Sequence, residues 1–532
     1  MTFEEKEEEE QVGEEHGGPA HHPSAPPDEL FDISTTVDPS YIISLIRKLL
    51  PTNVRNDHSS YNTDGCDVPS DSPKTDFMEE GVTSPSKDGV PSSSGHNSEA
   101  MDVVNGFDKS SYDKGGDEDS RHKLEQPNIS AEEEVWEEYG CILWDLAASR
   151  THAELMVQNL VLEVLLANLM VSRSVRVTEI ILGIIGNLAC HEVLMKHIVS
   201  THGLIEIIVD QLFLDDTQCL IEACRLLTLC LQGSECIIWA EALQSEHILQ
   251  RVLWIMENTL NLQLIEKSVG MLLAILEGQQ EVALVLHPPL MKLGLPILLI
   301  DLLAFEMNKL MGERMPERYS VLDVILHAIE ALSVLEGHSQ EISSNKQLLQ
   351  LLCDLVKLPD KIEVANSCVT AGVVVANILS DVDDLASDIS QDLPFLQGLL
   401  EIIPSASDDL AARNALWNIV ARLLVKVRED EISLSSLHQY VSILVSTSDM
   451  IEDDLLDHQL DDYIREDNHS SPCTLNASAR MTAIRRIISI LNKWTASNDG
   501  VEENNAMGDH LADVVNVGRL LQCCRKYIET RP

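Results

Sequence analysis

The chain has 532 residues, enough for several ordinary domains or for one long repeat array with tails. Lys plus Arg number 37 against 87 Asp plus Glu, a formal charge of −50. That balance excludes bare nucleic acid and anionic membrane surfaces as natural partners, because phosphate binding needs a cationic surplus that releases counterions.

A field of this sign speeds association with a basic protein or peptide. It equally describes acidic tails kept soluble by their charge, since screening over about 8 Å stops distant acids from acting on a groove. The N-terminus opens with an acidic run, Glu4 to Glu10 broken by Lys6, where a secretory signal requires a basic and then an apolar stretch. Residues 1–130 are rich in Ser, Pro, Gly, Asp and Glu and read as a disordered acidic tail. A short helix is expected at 38–50. Asp38 is its N-cap, Pro39 its first position, Tyr41, Ile42, Leu45, Ile46 and Leu49 its apolar face, and Pro51 its stop. So short an amphipathic helix is marginal alone in water, so this face docks either back on the repeats as a cap or on another protein. Ser72 and Ser84 precede prolines in the tail, as Ser471 does later, and match minimal proline-directed phosphorylation sites. Phosphate there would add about −1.5 to −2 charges to an already acidic segment.

Residues 131–448 carry a recurring helical phrase. Aligned on the fifth position of Gly183 to Cys190, its slots fall at Asp145, Asn187, Thr228, Ala274, Ser333, Asn377 and Asn418. The intervals are about 42, 41, 46, 59, 44 and 41 residues, the period of armadillo or HEAT repeats. Gly203, and Gly294 with Pro296, break the chain before a middle helix, and a long third helix follows. This predicts an all-α, armadillo-type α-solenoid of about six to seven repeats. The interval of 59 implies an inserted surface loop, placed at the charged stretch Glu306 to Tyr319. Residues 449–478 read as an acidic linker, and 479–532 as C-terminal helices whose Arg480, Arg485 and Arg486 pair with the preceding acids.

No uninterrupted apolar run near 20 residues suggests a membrane span. Twelve cysteines, mostly on apolar faces, fit reduced thiols; Cys219, Cys224, Cys230 and Cys236 lack the paired spacing of a zinc site. His191-Glu192 begins like a zinc-protease motif, but Met195 stands where the second His is needed. Without a phosphate loop, nucleophile elbow or dinucleotide fingerprint, the chain is expected to be no enzyme and to hold no metal or cofactor.

Function is therefore expected on the inner face, where third helices line a groove. Asn187, Asn377 and Asn418, with Thr228 and Ser333 behind them, are candidates to clamp an extended peptide, because an amide both donates and accepts. The alternative is that they bond within the repeats. One turn earlier stand Gly183, Cys224, Gly270, Ile329, Val373 and Asn414, so the groove lacks the tryptophan shelf that import receptors use to hold lysine stems. Glu179, Glu222 and Glu266 could give it an acidic lip.

CILWDLAAS from Cys141, VTEIILGIIGNLACHEVL ending at Leu194, and the island STTVDPSYIISLIRKLLP (Ser34 to Pro51) together resemble the serum amyloid A-like protein family. The resemblance spans roughly residues 34–51 and 131–280. It implies an armadillo-like, non-enzymatic protein of the nucleus, with cytoplasm as the other compartment open to it, associated with cell proliferation. The function expected is a protein-interaction scaffold that engages a protein or peptide through the groove, the N-terminal helix, or both. The second reading is an acidic carrier or chaperone, adaptor-like, for a basic cargo.

Overall fold

In the computed structural model the described residues are 37–51, 131–335, 337, 339–382, 384–427, 432–465, 474–498 and 509–530, and all regular structure among them is helical. The rest of the tail read as disordered, with Ser72 and Ser84, lies outside them, as does Ser471.

Helix α1 (Pro39–Lys48) precedes α2 (Ala131–Ala147). Six triplets follow. The first is α3 (Arg150–Gln158), α4 (Val161–Val171) and α5 (Val175–Ala189); the second is α6 (Met195–Ser200), α7 (Leu204–Asp210) and α8 (Thr217–Gln232). The third is α9 (Cys236–Leu243), α10 (Glu246–Asn258) and α11 (Leu262–Leu276); the fourth is α12 (Gln280–Lys292), α13 (Leu295–Gly312) and α14 (Tyr319–Ser333). The fifth is α15 (Ser339–Ser343), α16 (Lys346–Val356) and α17 (Ala365–Asp381); the sixth is α18 (Leu385–Ile389), α19 (Leu393–Ile402) and α20 (Leu410–Lys426). The chain closes with α21 (Leu434–Ser446), α22 (Ser448–Arg465), α23 (Thr474–Asn498) and α24 (Asp509–Glu529).

Local chemistry sets these boundaries. The third helices α5, α8, α11 and α20 start at Ser174, Asp216, Asn261 and Asp409, whose side chains accept from a backbone N–H two or three residues on. Gly203 and Gly294 turn the chain into α7 and α13 at φ 81° and 89°, a left-handed conformation that suits glycine. Third helices then stack one on the next from α5 through α8, α11, α14, α17 and α20 to α23, and their apolar faces form one continuous core. This is the armadillo-type solenoid that the spacing predicted.

The 59-residue interval resolves differently from a surface loop. Within it, the first seven residues of the stretch Glu306 to Tyr319 extend α13, and Glu306 is buried there. Arg318 grips both Glu306 carboxylate oxygens, at 2.8 and 2.6 Å, while Arg314 and Tyr319 reach Asp360 and Glu363 of the next triplet. The expected acidic linker is likewise helical through Arg465, because Ile451 and Leu455 present one apolar stripe that is fully buried. One stretch, Ile362–Asp381, is apolar and long enough to cross a membrane by composition, contrary to the sequence reading. Its face is covered by α14, α16 and α20, as befits the middle of a repeat core.

Both ends of the array are closed. Ile42, Leu45, Ile46 and Leu49 of α1 are buried, Trp136 Nε1 and Asn168 Nδ2 both donate to the Leu49 carbonyl (3.2 and 2.7 Å), and Lys48 sits 4.0 Å over the Tyr139 ring. The island is thus a cap on its own solenoid, with Tyr41 left half exposed. At the other end Asp454 of α22 lies between Arg413 and Arg480, each at 3.6 Å, and accepts from Trp417 Nε1 at 2.9 Å. Arg519 of α24 takes Asp449 and Glu452. Arg480 therefore pairs with a preceding acid as expected, whereas Arg486 donates to backbone carbonyls of Leu424 and Val427.

Candidate functional site

The groove floor is a ladder of polar contacts between successive third helices. Asn187 Nδ2 donates to the Trp144 carbonyl of α2 at 2.9 Å, and Arg225 of α8 donates to the Gly183 carbonyl and Asn187 Oδ1 of α5. Ser320 of α14 donates to Glu266 of α11. Between α14 and α17, Asn377 donates to Ser333 Oγ at 2.9 Å, Ser367 to Asp323, and Thr370 meets His327 at 3.5 Å. Arg422 of α20 ties back to the Leu379 carbonyl of α17 and accepts no role as a free cation, since its Nε is also held by Asn418 Oδ1.

The candidate clamp residues are therefore spent largely within the solenoid. Asn187 and Asn377 brace neighbouring helices, Asn418 holds Arg422, and Thr228 bonds back to the Cys224 carbonyl at 2.7 Å. Ser333 is buried, accepts from Asn377 and donates to the Glu330 carbonyl at 2.7 Å, and Ala274 at the equivalent slot of α11 is buried as well. The expected acidic lip is neutralised in place: Glu179, Glu222 and Glu266 pair with Arg176, Arg225 and Lys267 at 2.7, 2.8 and 2.9 Å. Lys267 holds the Glu266 carboxyl below its ordinary range.

The ladder has one gap. Among the described residues no hydrogen bond joins α8 to α11. At that place a cavity of about 400 Å³ opens between α8, α11 and α14. Leu229, Gly270 and Val324 make it apolar; Thr228, Glu266, Lys267, Ser320, Asp323 and His327 supply polar groups around it. Gly270 is the informative residue. A glycine inside a helix costs about 1 kcal/mol against alanine, and other inner-face glycines have a packing reason for it. A Cβ on Gly183 would fall 2.1 Å from the Trp144 ring, and one on Gly186 or Gly372 would strike Arg225 or Leu416. A Cβ on Gly270 would meet nothing within 4 Å. One turn past His327, burial raises the Glu330 carboxyl, with His327 opposing and Asp409 and Glu277 adding to it. A second cavity, of about 330 Å³, lies beside Asn418 and Arg422 near α18 and α23.

Sequence reasoning named Thr228 and Glu266, noted Gly270 only as a slot without a tryptophan, and missed Lys267, Asp323 and His327. The signal lay in a mid-helix glycine within VGMLLAIL, which sequence alone cannot distinguish from a packing glycine. It also missed Trp144, which brings an aromatic ring onto Gly183 from the helix before.

His191 Nε2 contacts the Ala147 carbonyl and Glu192 accepts from the Ser234 amide, so the protease-like pair is structural. Cys219, Cys224, Cys353, Cys368 and Cys524 are buried, which pushes their thiols up to about 12. No group of three metal-ligating side chains occurs among the described residues.

No protein-family model matches the chain. Over 241 residues it is 28% identical to protein saal1 of Danio rerio, covering 42% of this chain and 50% of that protein. Over 152 residues it is 28% identical to protein SAAL1 of Homo sapiens, covering 28% of this chain and 31% of that one. The chain resembles the serum amyloid A-like proteins. It spans about half the length of the zebrafish protein and a smaller share of the human one. Among solved structures it is similar to an engineered protein at 15% identity and TM-score 0.45, over 74% of this chain and 85% of that one. A designed armadillo repeat protein in complex with the peptide (KR)4 matches at 16% identity and TM-score 0.37, over 47% of this chain and 95% of that one.

Proposed function

We propose that this protein is a non-catalytic interaction scaffold that holds an extended protein segment along its inner face, in the nuclear, proliferation-linked setting that the family resemblance implies. The observation that carries this reading is the cavity at Gly270, which opens where the ladder of third-helix contacts is interrupted. The fold supplies a long row of helices for a strand to follow, and the cavity supplies an anchor point. The N-terminal helix supports the reading by exclusion, since its apolar face is already occupied by the solenoid.

A photo-crosslinking amino acid placed at Leu229 on the inner face, and separately at Leu284 on α12, tests this in cells. Adducts from Leu229 to a discrete partner, absent from Leu284, are the expected result. Adducts from Leu284 alone would overturn it. Salt titration of the recovered complex then separates an anchored segment from a basic cargo held by charge: the first keeps its affinity at high salt, and the second loses it steeply.

A further inference from the structure

The cavity between α8, α11 and α14 also states what it would hold, an inference that rests on the groove reading above. Its volume, about 400 Å³, exceeds the needs of an aliphatic side chain and falls within the range of sites that enclose a ring. Leu229, Val324 and the bare backbone of Gly270 offer the ring an apolar bed. Lys267 beside it offers an ammonium to the face of a π-system. Glu266 accepts from Lys267 on one oxygen and Ser320 on the other, and Asp323 accepts from Ser367, which leaves each carboxylate further lone pairs for an O–H or N–H donor.

Other occupants fit less well. An aliphatic side chain would take the remaining lone pairs of both carboxylates out of water without pairing them. A lysine or arginine in the cavity itself would face Lys267 and Arg225. Glu330 follows His327 by one turn of α14, and Glu277 and Asp409 are near enough to add to its negative field.

We propose that this cavity receives one aromatic side chain bearing a donor, tyrosine or tryptophan, from an extended partner segment that places a lysine or arginine a few residues away, over Glu277 and Glu330. Gly270 is the residue that keeps the receptor open. No packing neighbour requires it, so its missing side chain has a function only if something else fills the space.

The test is selection of random dodecapeptides displayed on phage against the full chain, followed by affinity measurement on Gly270→Phe and Gly270→Ala. Gly270→Phe fills the cavity from within, and an unchanged thermal melt confirms that it folds. Selected peptides are expected to share a Tyr or Trp with a nearby Lys or Arg, and to bind Gly270→Phe about tenfold or more weakly, with Gly270→Ala in between. Replacing the aromatic of a selected peptide with alanine should cost a similar factor on the wild type and nothing further on Gly270→Phe. Peptides that lack an aromatic, or that bind Gly270→Phe as well as the wild type, overturn the proposal. If such peptides are still lost on Asn377→Arg, the groove reading survives that failure; if no peptide binds the inner face at all, both fall.

Discussion

The two ends of this solenoid are both closed by apolar side chains, but only one of them buries charge as well. At the N-terminal end a ten-residue helix inserts four aliphatic side chains, and a single carbonyl, that of Leu49, is read by two donors. At the C-terminal end Ile484, Ile487, Leu491 and Leu520 are buried too, but an ion cluster is buried with them. Asp454 is buried with two arginines and a tryptophan N–H around it, and Arg519 clamps two more acids of the same helix. An apolar cap tolerates loss of one contact because the rest still exclude water. A buried ion cluster does not, because removing one member leaves a charge in a low-dielectric site. The first end is therefore built to be adjusted and the second to be fixed.

The largest effect should come from breaking the ionic end. Asp454→Ala strands Arg413 and Arg480 without their shared carboxylate and should destabilise α20 to α24 by about 3–5 kcal/mol. Urea unfolding, with amide exchange resolved by helix, should show the loss there and leave α1 to α5 protected. If instead the loss is spread evenly, the end is not a separate structural unit.

Next is Leu45→Ala at the apolar end. Large-to-small changes in a core cost about 2–5 kcal/mol, and the lower figure is expected here because so short a helix can leave its site instead of enclosing a void. Amides of α1 should lose protection while those of α11 to α20 keep theirs.

Alkaline pH sharpens the contrast without mutation. Burial raises the Cys524 thiol from 9.0 to about 12, and the Tyr527 hydroxyl from 10.0 to about 12. Both groups keep their protons longer in the folded chain than in the unfolded one. Their contribution is intact below pH 9 and is lost as pH rises from about 9 towards 12, at about 1.4 kcal/mol per pH unit for the thiol. The melting temperature should fall across this window, and Cys524→Ala should flatten part of the fall.

How much of this was legible in the sequence follows the same division. Helix α1 was readable to its ends because cap, proline and apolar face are all local signals: Asp38, Pro39, and Ile42 with Leu45, Ile46 and Leu49. The repeat period gave the solenoid, since each third helix repeats the same buried stripe. The α22 helix was hidden because its acids are as numerous as its apolar residues, and only tertiary contacts show that Asp454 faces inward. The insertion before Ser333 was read as a loop because its first half lengthens α13 without breaking the apolar pattern. The Gly270 cavity could not be read at all. What separates Gly270 from Gly183 is the distance to residues on other helices.

The finest test of the apolar cap is Asn168→Ala. Asn168 is buried, and its Nδ2 donates both to the Leu49 carbonyl and to the Val164 carbonyl within its own helix, each at 2.7 Å. The substitution leaves Trp136 Nε1 on the Leu49 carbonyl, so no acceptor is orphaned, and the cost should be about 1 kcal/mol. Because Val164 keeps its ordinary helical partner, the loss should fall on the amides of α1 and hardly on those of α4. Pairing the change with Trp136→Phe makes the point stronger. Each donor shields the carbonyl from the loss of the other, so the double variant should cost more than the two single variants added together. Additive losses would mean that the two donors act independently and that the Leu49 carbonyl is not the point on which the cap is fixed.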